Sequence, residues 1–192
     1  MKKRHFGKLQ LFFLDNYILC NQLFSDLYYI PKKKEVIKVF KKNYKYKAFE
    51  DNSTLSEDVR QTLLEHHVIL PKEKVYIKKE LRGYITDYVE GYTPWEFKNK
   101  DINIRGIEEE DIKRACNIAR EDVRAISNLK VYMRDLHSGN MVYDVKRKVF
   151  CFIDTDLWSI MQDSYEEENM NCLEMALCET SMVSKIKKQK KR

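Results

Sequence analysis

Three polar side chains in the C-terminal half have the types and the spacing that phosphoryl transfer requires. Asp135 and Asn140 are five residues apart, and Asp154 follows 14 residues after Asn140, at the end of an apolar run. In this chemistry one carboxylate orients an attacking hydroxyl, while an amide and a second carboxylate hold Mg²⁺ against the nucleotide phosphates. The spacing therefore predicts Asp135 as the catalytic base, with Asn140 and Asp154 as metal ligands. The alternative is that Asp135 and Asn140 only cap turns.

The elements that must position these residues are mostly strands upstream and mostly helices downstream, which indicates an α+β fold. Alternating or continuous apolar residues predict upstream strands at 11–19, 23–30, 35–40, 75–80 and 83–89. Between them, Thr54 and Glu57 match a capping box that begins a helix ending near His66 or His67. Downstream, helical spacing predicts helices over 108–129 and 166–182, with short strands at 141–143 and 149–153. The turn-forming segment 90–94 is the expected boundary, which gives lobes at 1–90 and 91–183 and a basic tail at 184–192.

The motif Asp-Leu-His-x-Gly-Asn, from Asp135 to Asn140, and the apolar-Ile-Asp run ending at Asp154 resemble the protein-kinase-like superfamily. The resemblance extends over nearly the full length and implies a bilobal fold, with an antiparallel N-lobe sheet, one N-lobe helix and a reduced helical C-lobe. It also implies ATP as the phosphoryl donor and Mg²⁺ as the metal. In this family a lysine on the third strand contacts the phosphates and pairs with a helix-borne glutamate. Lys38 and Glu57, 19 residues later, stand at these positions. The alternatives are that Lys38 is only a charge on an edge strand and that Glu57 only caps its helix.

The same resemblance implies a nucleotide pocket. The backbone groups of Asp87 and Val89 would bind adenine, with Thr86 beside the pocket, although a plain buried strand ending in a turn has the same pattern. The phosphate loop of the family is rich in glycine, which lets backbone amides approach phosphates closely. The corresponding loop here has no glycine. Either Asn21 and Ser25 hold the phosphates instead, or the affinity for the nucleotide is lower.

Two departures from the family pattern leave the acceptor open. His137 replaces the lysine of eukaryotic protein kinases, and this form resembles aminoglycoside and choline kinases. Only 38 residues follow Asp154, too few for a full activation segment. The short C-lobe and the sequence Gly139-Asn140-Met141 resemble small effector kinases of enteric pathogens. The leading hypothesis is a protein Ser/Thr kinase, for which an activating protein partner stays open. The alternatives are a small-molecule kinase and a pseudokinase that acts as a binding scaffold. For His137, bracing of the catalytic loop and a polar residue without a catalytic part are equally open.

The composition of the chain limits the remaining classes of function and location. The chain has 192 residues, 43% of them hydrophobic, which is ample for a buried core, and its net charge is +6. Much of the basic excess lies at 185–192, a run expected to be a frayed, solvated terminus, with contact to nucleic acid or an acidic partner as the weaker alternative. The five cysteines form no CxxC pair, which indicates reduced thiols in the cytoplasm and argues against a zinc site. No apolar run has the length of a membrane span, and no cleaved leader is expected, although secretion as an effector stays open.

Overall fold

The structure is a computed structural model that describes residues 1–6, 18–21, 24–41, 55–102, 104 and 106–190. Within these residues the fold is α+β, with a six-stranded sheet, two smaller sheets and several helices. This confirms the fold class expected from the sequence at that level. The chain divides into two compact units, the first made of Met1–Lys47 and Leu70–Tyr88 and the second of Ala48–Ile69 and Val89–Arg192.

The first unit is built on the six-stranded sheet. Its strands are β1 Lys2–Phe6, β2 Ile18–Asn21, β3 Ser25–Ile30, β4 Glu35–Phe40, β5 Glu73–Ile77 and β6 Glu80–Asp87. Their spatial order is β1-β5-β6-β4-β3-β2, and every neighbouring pair is antiparallel except β1 and β5, which are parallel. The expectation of a purely antiparallel sheet is therefore wrong at the β1 edge. Strand β1 went unpredicted because its first three residues are basic and give no apolar alternation.

Alternation along the strands places one apolar set on a common face of this sheet. The buried members are Tyr28, Ile37, Val39, Val75, Ile77 and Ile85. Strand β4 has the bounds expected from its sequence pattern. Its residues Ile37 and Val39 join this cluster, so Lys38 between them faces the opposite side of the sheet.

The hairpin between β5 and β6 differs from its prediction in the position of its turn. The sequence pattern placed the turn near Gly83, but the chain reverses at Lys78 and Lys79, which have φ values of 50° and 69°. Two central residues with positive φ form the turn whose twist suits a two-residue hairpin. Gly83 instead lies within β6 opposite Val39, where an added Cβ would come within 1.8 Å of the Lys38 carbonyl oxygen. Glycine at this position therefore permits the close approach of β4 and β6.

The second unit is mainly helical. Its helices are α1 Glu57–Glu65, α2 Pro94–Asn99, α3 Glu109–Asn128, α4 Glu166–Leu177 and α5 Glu179–Lys190. Its strands are β7 Gly91–Tyr92, β8 Val131–Tyr132, β9 Met141–Asp144, β10 Val149–Phe152 and β11 Ser159–Ile160. They pair in the orders β10-β9-β7 and β11-β8. Among the helices described here, none is long and apolar enough to cross a membrane.

Helix α3 is the centre of the second unit. Of the apolar residues that predicted it, Ile112, Ala115, Ala119 and Val123 are fully buried, whereas Ile118 is partly buried. They pack toward α4, α5 and β10. The prediction of a long amphipathic helix is confirmed within one residue at each end.

One helix start differs from the expected capping chemistry, and helix α2 was not predicted. The N-cap of α1 is Ser56, whose hydroxyl accepts a hydrogen bond from the Val59 amide, so Glu57 is the first helical residue; Thr54 lies outside the described residues. The segment expected to be a linker contains β7 and the start of α2. Helix α2 begins with a capping box in which Thr93 and Glu96 each bond the backbone of the other. This Thr-x-x-Glu pattern was present in the sequence as a start signal.

The C-terminal region forms two helices where the sequence pattern predicted one. Cys178 adopts a left-handed conformation with φ 49°, which ends α4 before α5 begins. The predicted frayed terminus is wrong as far as Lys190, because Met182 and Ile186 are four residues apart on one helix face and are both buried. The ammonium of Lys187 lies 3.2 Å from a carboxylate oxygen of Glu109.

Candidate functional site

The loop between β8 and β9 carries two of the predicted site residues, and they are in direct contact. The side-chain Nδ2 of Asn140 donates to the backbone oxygen of Asp135 at 3.0 Å and lies 3.5 Å from its Oδ2. The Asp135 side chain is 53% exposed, whereas Asn140 is buried. Because the amide nitrogen of Asn140 is directed at Asp135, its Oδ1, the atom that would bind a cation, is directed elsewhere. The arrangement presents an exposed carboxylate above a buried amide.

The hairpin of β9 and β10 brings Asp154 beside this loop. Met141 pairs with Phe152, and the Ile153 amide donates to the Asn140 carbonyl at 2.9 Å. Asn140 and Asp154 therefore leave the hairpin at the same end. Asp154 itself has φ 59°, and Asp135 has φ 69°. A left-handed conformation is uncommon for residues other than glycine, although aspartate tolerates it better than most. Positions of this kind cluster at functional sites.

His137 braces the loop through its ring. The Gly139 amide donates to Nδ1 of His137 at 3.0 Å, and Nε2 lies 3.9 Å from Oδ2 of Asp135. Because Nδ1 accepts a hydrogen bond, the proton of the neutral imidazole is on Nε2, on the side of Asp135. An added Cβ on Gly139 would be 3.0 Å from the His137 ring. Of the two alternatives for His137, this geometry supports loop bracing.

A buried asparagine that the sequence analysis missed anchors the entry to this loop. Oδ1 of Asn169 accepts from the Met133 amide at 2.9 Å, and Nδ2 donates to Ser127 Oγ at 2.9 Å and to the Val131 carbonyl at 2.8 Å. Asn169 is 0% exposed. Its signal in the sequence was a polar residue four positions before Leu173, on the buried face of a helix.

The far end of the loop is tied to helix α2. The Trp95 amide donates to the Ser138 carbonyl at 3.1 Å. Pro94 and Trp95 are the first two residues of α2, where backbone amides have no partner within the helix. The loop carbonyl therefore satisfies one of these amides, and the helix start fixes the loop in return.

In the first unit, Lys38 is a buried cation beside two aromatic rings. It is 6% exposed, and its Nζ lies 5.6 Å from the ring centroid of Phe40 and 5.8 Å from that of Tyr84. Phe40 is two residues further along β4, and Tyr84 is the direct partner of Lys38 on β6. All three side chains therefore share the face opposite the apolar cluster of the sheet.

The predicted adenine-binding segment lies at the end of β6. The Tyr88 amide donates to the Lys34 carbonyl at 2.8 Å, and Glu35 is the partner of Asp87 in the register. Hydrogen-bonded and non-hydrogen-bonded residue pairs alternate along antiparallel strands. Because Lys34 and Tyr88 are joined by a hydrogen bond, the next pair, Glu35 and Asp87, is not, and the N–H and C=O groups of Asp87 point away from β4. On that other side, β5 begins only at Glu73, opposite Ile85. The chain already runs beside β6 before β5 begins, because the Lys72 amide donates to the Ile85 carbonyl at 2.9 Å. Adenine binding by the Asp87 backbone stays a prediction.

The remaining predicted residues have weaker geometric support. Ser25 is 1% exposed within β3, and the backbone of Asn21 lies in β2, opposite Asp26. Positions 22–23 between them lie outside the described residues. Thr86 is half-buried on β6, and Val89 is buried in the second unit. Glu57 is exposed at the first position of α1, in the second unit, whereas Lys38 belongs to the first. Their predicted ion pair stays a prediction.

The donor set at Asn140 and Asp154 fits a hard cation. Amide and carboxylate oxygens suit Mg²⁺, which is commonly bound by one or two carboxylates together with substrate phosphates and water. In the part of the chain that the structure describes, no group of three or more His, Cys, Asp or Glu side chains could hold a metal ion. No family model matches the chain, and no curated protein matches it significantly.

Proposed function

We propose that this chain is an ATP- and Mg²⁺-dependent kinase with a bilobal, protein-kinase-like fold, which transfers the γ-phosphoryl group to a hydroxyl, most readily on protein Ser or Thr. One observation carries the proposal. Asn140 bonds Asp135 through its side chain and accepts from Ile153 through its carbonyl, which brings the Asp154 backbone to the same place. The predicted catalytic carboxylate and the two predicted cation ligands are thereby linked along the backbone through one asparagine.

Asp135 would orient the acceptor hydroxyl. The hydroxyl oxygen forms a bond to the γ-phosphorus, the bond from that phosphorus to the bridging oxygen breaks, and ADP leaves with the bonding electrons. The hydroxyl proton is accepted by the Asp135 carboxylate and passes to solvent, which its exposure permits. Mg²⁺ held by Asn140 and Asp154 would supply neutralisation of the phosphate charge. Catalysis of this kind is mainly positioning and electrostatic stabilisation.

A further set of predicted residues would bind the nucleotide. Lys38 would contact the α- and β-phosphates, and Glu57 would steady it. The backbone of Asp87 and Val89 would hydrogen-bond adenine. The burial of Lys38 on the face opposite the apolar cluster supports the assignment of Lys38.

The test is transfer of radiolabel from γ-labelled ATP, with Mg²⁺, to the chain itself and to a peptide library. We expect Asp135→Asn and Asp154→Ala each to lower the rate at least about 10²-fold, the lower end for a positioned acid–base group. Asp163→Asn is the matched control, because Asp163 is an exposed carboxylate in the same region of the chain. Undiminished transfer by both site variants would overturn the proposal.

A small-molecule acceptor is the second candidate, and His137 favours it because the Asp-x-His form resembles aminoglycoside and choline kinases. Amino sugars and choline-like alcohols can be compared with the peptide library in the same labelling assay. Saturable transfer to an amino sugar, with none to peptides, would replace protein Ser/Thr as the acceptor. The roles of Asp135 and Asp154 would be unchanged.

A binding scaffold without transfer is the third candidate, favoured by the burial of Ser25 beside a loop without glycine. Thermal unfolding with ATP and Mg²⁺ together, and with each alone, separates it from the enzyme. A ligand that binds only the native state raises the melting temperature. A shift without any transfer would identify a nucleotide-binding scaffold, and no shift would exclude the kinase.

A further inference from the structure

The Lys38 ammonium lies 5.6 and 5.8 Å from the centroids of two aromatic rings. Transfer of a charged group out of water is costly unless other groups compensate for it. The rings of Phe40 and Tyr84 are themselves 1% and 4% exposed, so they are well shielded from water. The face of an aromatic ring is negative and attracts a cation within about 6 Å of the centroid, more strongly where water is excluded. Both rings satisfy this distance.

The two rings have a fixed relation to each other and to the lysine. Their centroids are 5.8 Å apart, and their planes are inclined by 67° in an edge-to-face arrangement. The positions follow from the strands, because Phe40 is two residues beyond Lys38 on β4 and Tyr84 is its cross-strand partner on β6. Gly83, next to Tyr84, lets the two strands approach. The rings therefore do not depend on a flexible loop for their position.

The geometry points to Phe40 and Tyr84 as positioning residues that hold the Lys38 ammonium by cation–π contacts before any nucleotide binds. We name this pair of rings the aromatic seat. The inference deepens the proposed function and rests on the phosphate-binding role given there to Lys38. The aromatic seat would keep the side chain extended over the sheet, so that the ammonium is in place when phosphates arrive. Pre-organisation of this kind removes an ordering cost from the binding step.

The test uses ring electronics rather than ring removal, because truncation of a buried aromatic residue can unfold the chain. Phenylalanine analogues with increasing numbers of fluorine atoms are introduced at position 40, or at position 84 in the Tyr84→Phe background. Fluorination keeps the shape of the ring but reduces the negative charge on its face. Phe6, which packs against the apolar cluster of the same sheet, receives the same analogues as a control.

The readout is the rate at which an amine-directed acylating reagent modifies Lys38 in the full chain without nucleotide, followed by mass spectrometry. The exposed lysines Lys32 and Lys33 are internal references. We expect modification of Lys38 to rise stepwise with fluorination at positions 40 and 84, by about 3- to 30-fold in total, the range that corresponds to a cation–π contact. Tyr84→Phe alone should leave the rate within about twofold, because the ring is retained.

Equal rates of Lys38 modification across the fluorinated series, in folded protein, would overturn the role of the aromatic seat. An equal rise in that rate when the analogues are placed at Phe6 would overturn it as well. The proposed function is tested separately in this assay by addition of ATP and Mg²⁺. Protection of Lys38 by the nucleotide supports its phosphate role. A stepwise rise without nucleotide protection would retain the aromatic seat and reject that role. In the kinase assay, loss of the seat should raise the KM for ATP more than it lowers kcat.

Discussion

The side chain of Asn169 lies between two backbone segments and accepts the amide hydrogen of Met133 at 2.9 Å. The same side chain donates to the Val131 carbonyl at 2.8 Å. Asn169 thereby fixes the chain just before the loop that carries Asp135. The position of the proposed catalytic carboxylate depends on a residue of helix α4, 34 positions further along the sequence.

We expect Asn169→Leu to lower the free energy of unfolding by about 2–4 kcal/mol, because it leaves buried polar partners without hydrogen bonds. Chemical denaturation measures this loss. Asn128→Ala is the matched control, since Asn128 is exposed at the end of α3. An equal effect of the two substitutions would show that the network contributes little. Labelling activity of Asn169→Leu should fall even under conditions in which the variant is fully folded.

His137→Asn and His137→Gln should differ, although both remove the imidazole. The side-chain oxygen of asparagine can occupy the place of Nδ1 and accept from Gly139, whereas that of glutamine reaches toward the place of Nε2. We therefore expect the Gly139 amide to keep its protection from hydrogen exchange in the asparagine variant and to lose it in the glutamine variant. The Asn140 amide, bonded to the His137 carbonyl, is the internal control. Equal protection in both variants would contradict the bracing role.

Arg4 should make part of the stability depend on pH. Burial raises the pKa of Glu35, but the hydrogen bonds and charges of Arg4 and Lys72 outweigh this effect and leave the pKa below its ordinary value of 4.5. A carboxyl group whose pKa is lower in the folded state stabilises the protein above its unfolded-state pKa. That stabilisation is lost as the pH falls through the lower, folded-state value. The Arg4→Met variant should therefore be less stable than the parent at pH 7, with the difference shrinking below about pH 4.5.

The free energy of unfolding from pH 3 to pH 7 tests this prediction. Lys2→Met removes the same charge from the same strand, and Lys2 is exposed. Its curve should run parallel to that of the parent. A constant difference between Arg4→Met and the parent at all pH values would contradict an ionic origin.

The four cysteines whose side chains the structure describes should react in two groups. Burial is the main cause that raises the pKa of Cys116 and of Cys151 to about 12, whereas Cys172 and Cys178 are half-buried. Only the thiolate is nucleophilic. Alkylation of the native chain at pH 8 should therefore be slower at Cys116 and Cys151 than at Cys172 and Cys178, and slower than at the same two buried cysteines in denaturant by on the order of 10³-fold. Mass spectrometry of tryptic peptides measures the rates, and equal rates in denaturant are the control. Equal native rates would refute the burial argument.

The local sequence pattern predicted an element correctly where its apolar residues repeat with a strong period or where its boundary is clear. Strand β4 and helix α3 are examples, because their apolar residues repeat with the period of the element. The hairpin of β9 and β10 also follows from two apolar runs around a polar turn. For the site, the spacing placed Asp135 and Asn140 in one loop, and the structure joins them by a hydrogen bond.

The features that were missed depend on residues distant in sequence. Strand β1 pairs with β5 about 70 positions away, and its own residues carry no apolar alternation. The role of Gly83 depends on the carbonyl of Lys38, which no local pattern reveals, so a turn was the default expectation. The aromatic seat likewise requires the register of β4 against β6. A register is a property of two strands, and the sequence of either one alone does not specify it.

The left-handed residue Cys178 has a consequence for how the basic C-terminal segment can be studied. Because Cys178 ends α4, α5 starts as a separate helix, and its residues Met182 and Ile186 are buried. Cutting the chain at this point would uncover an apolar surface along with the removal of positive charge. Lysine-to-glutamine exchanges at Lys187 and Lys188 would instead alter the charge while the helix stays in place, so neutralisation rather than truncation can separate attraction to anions from the integrity of the fold.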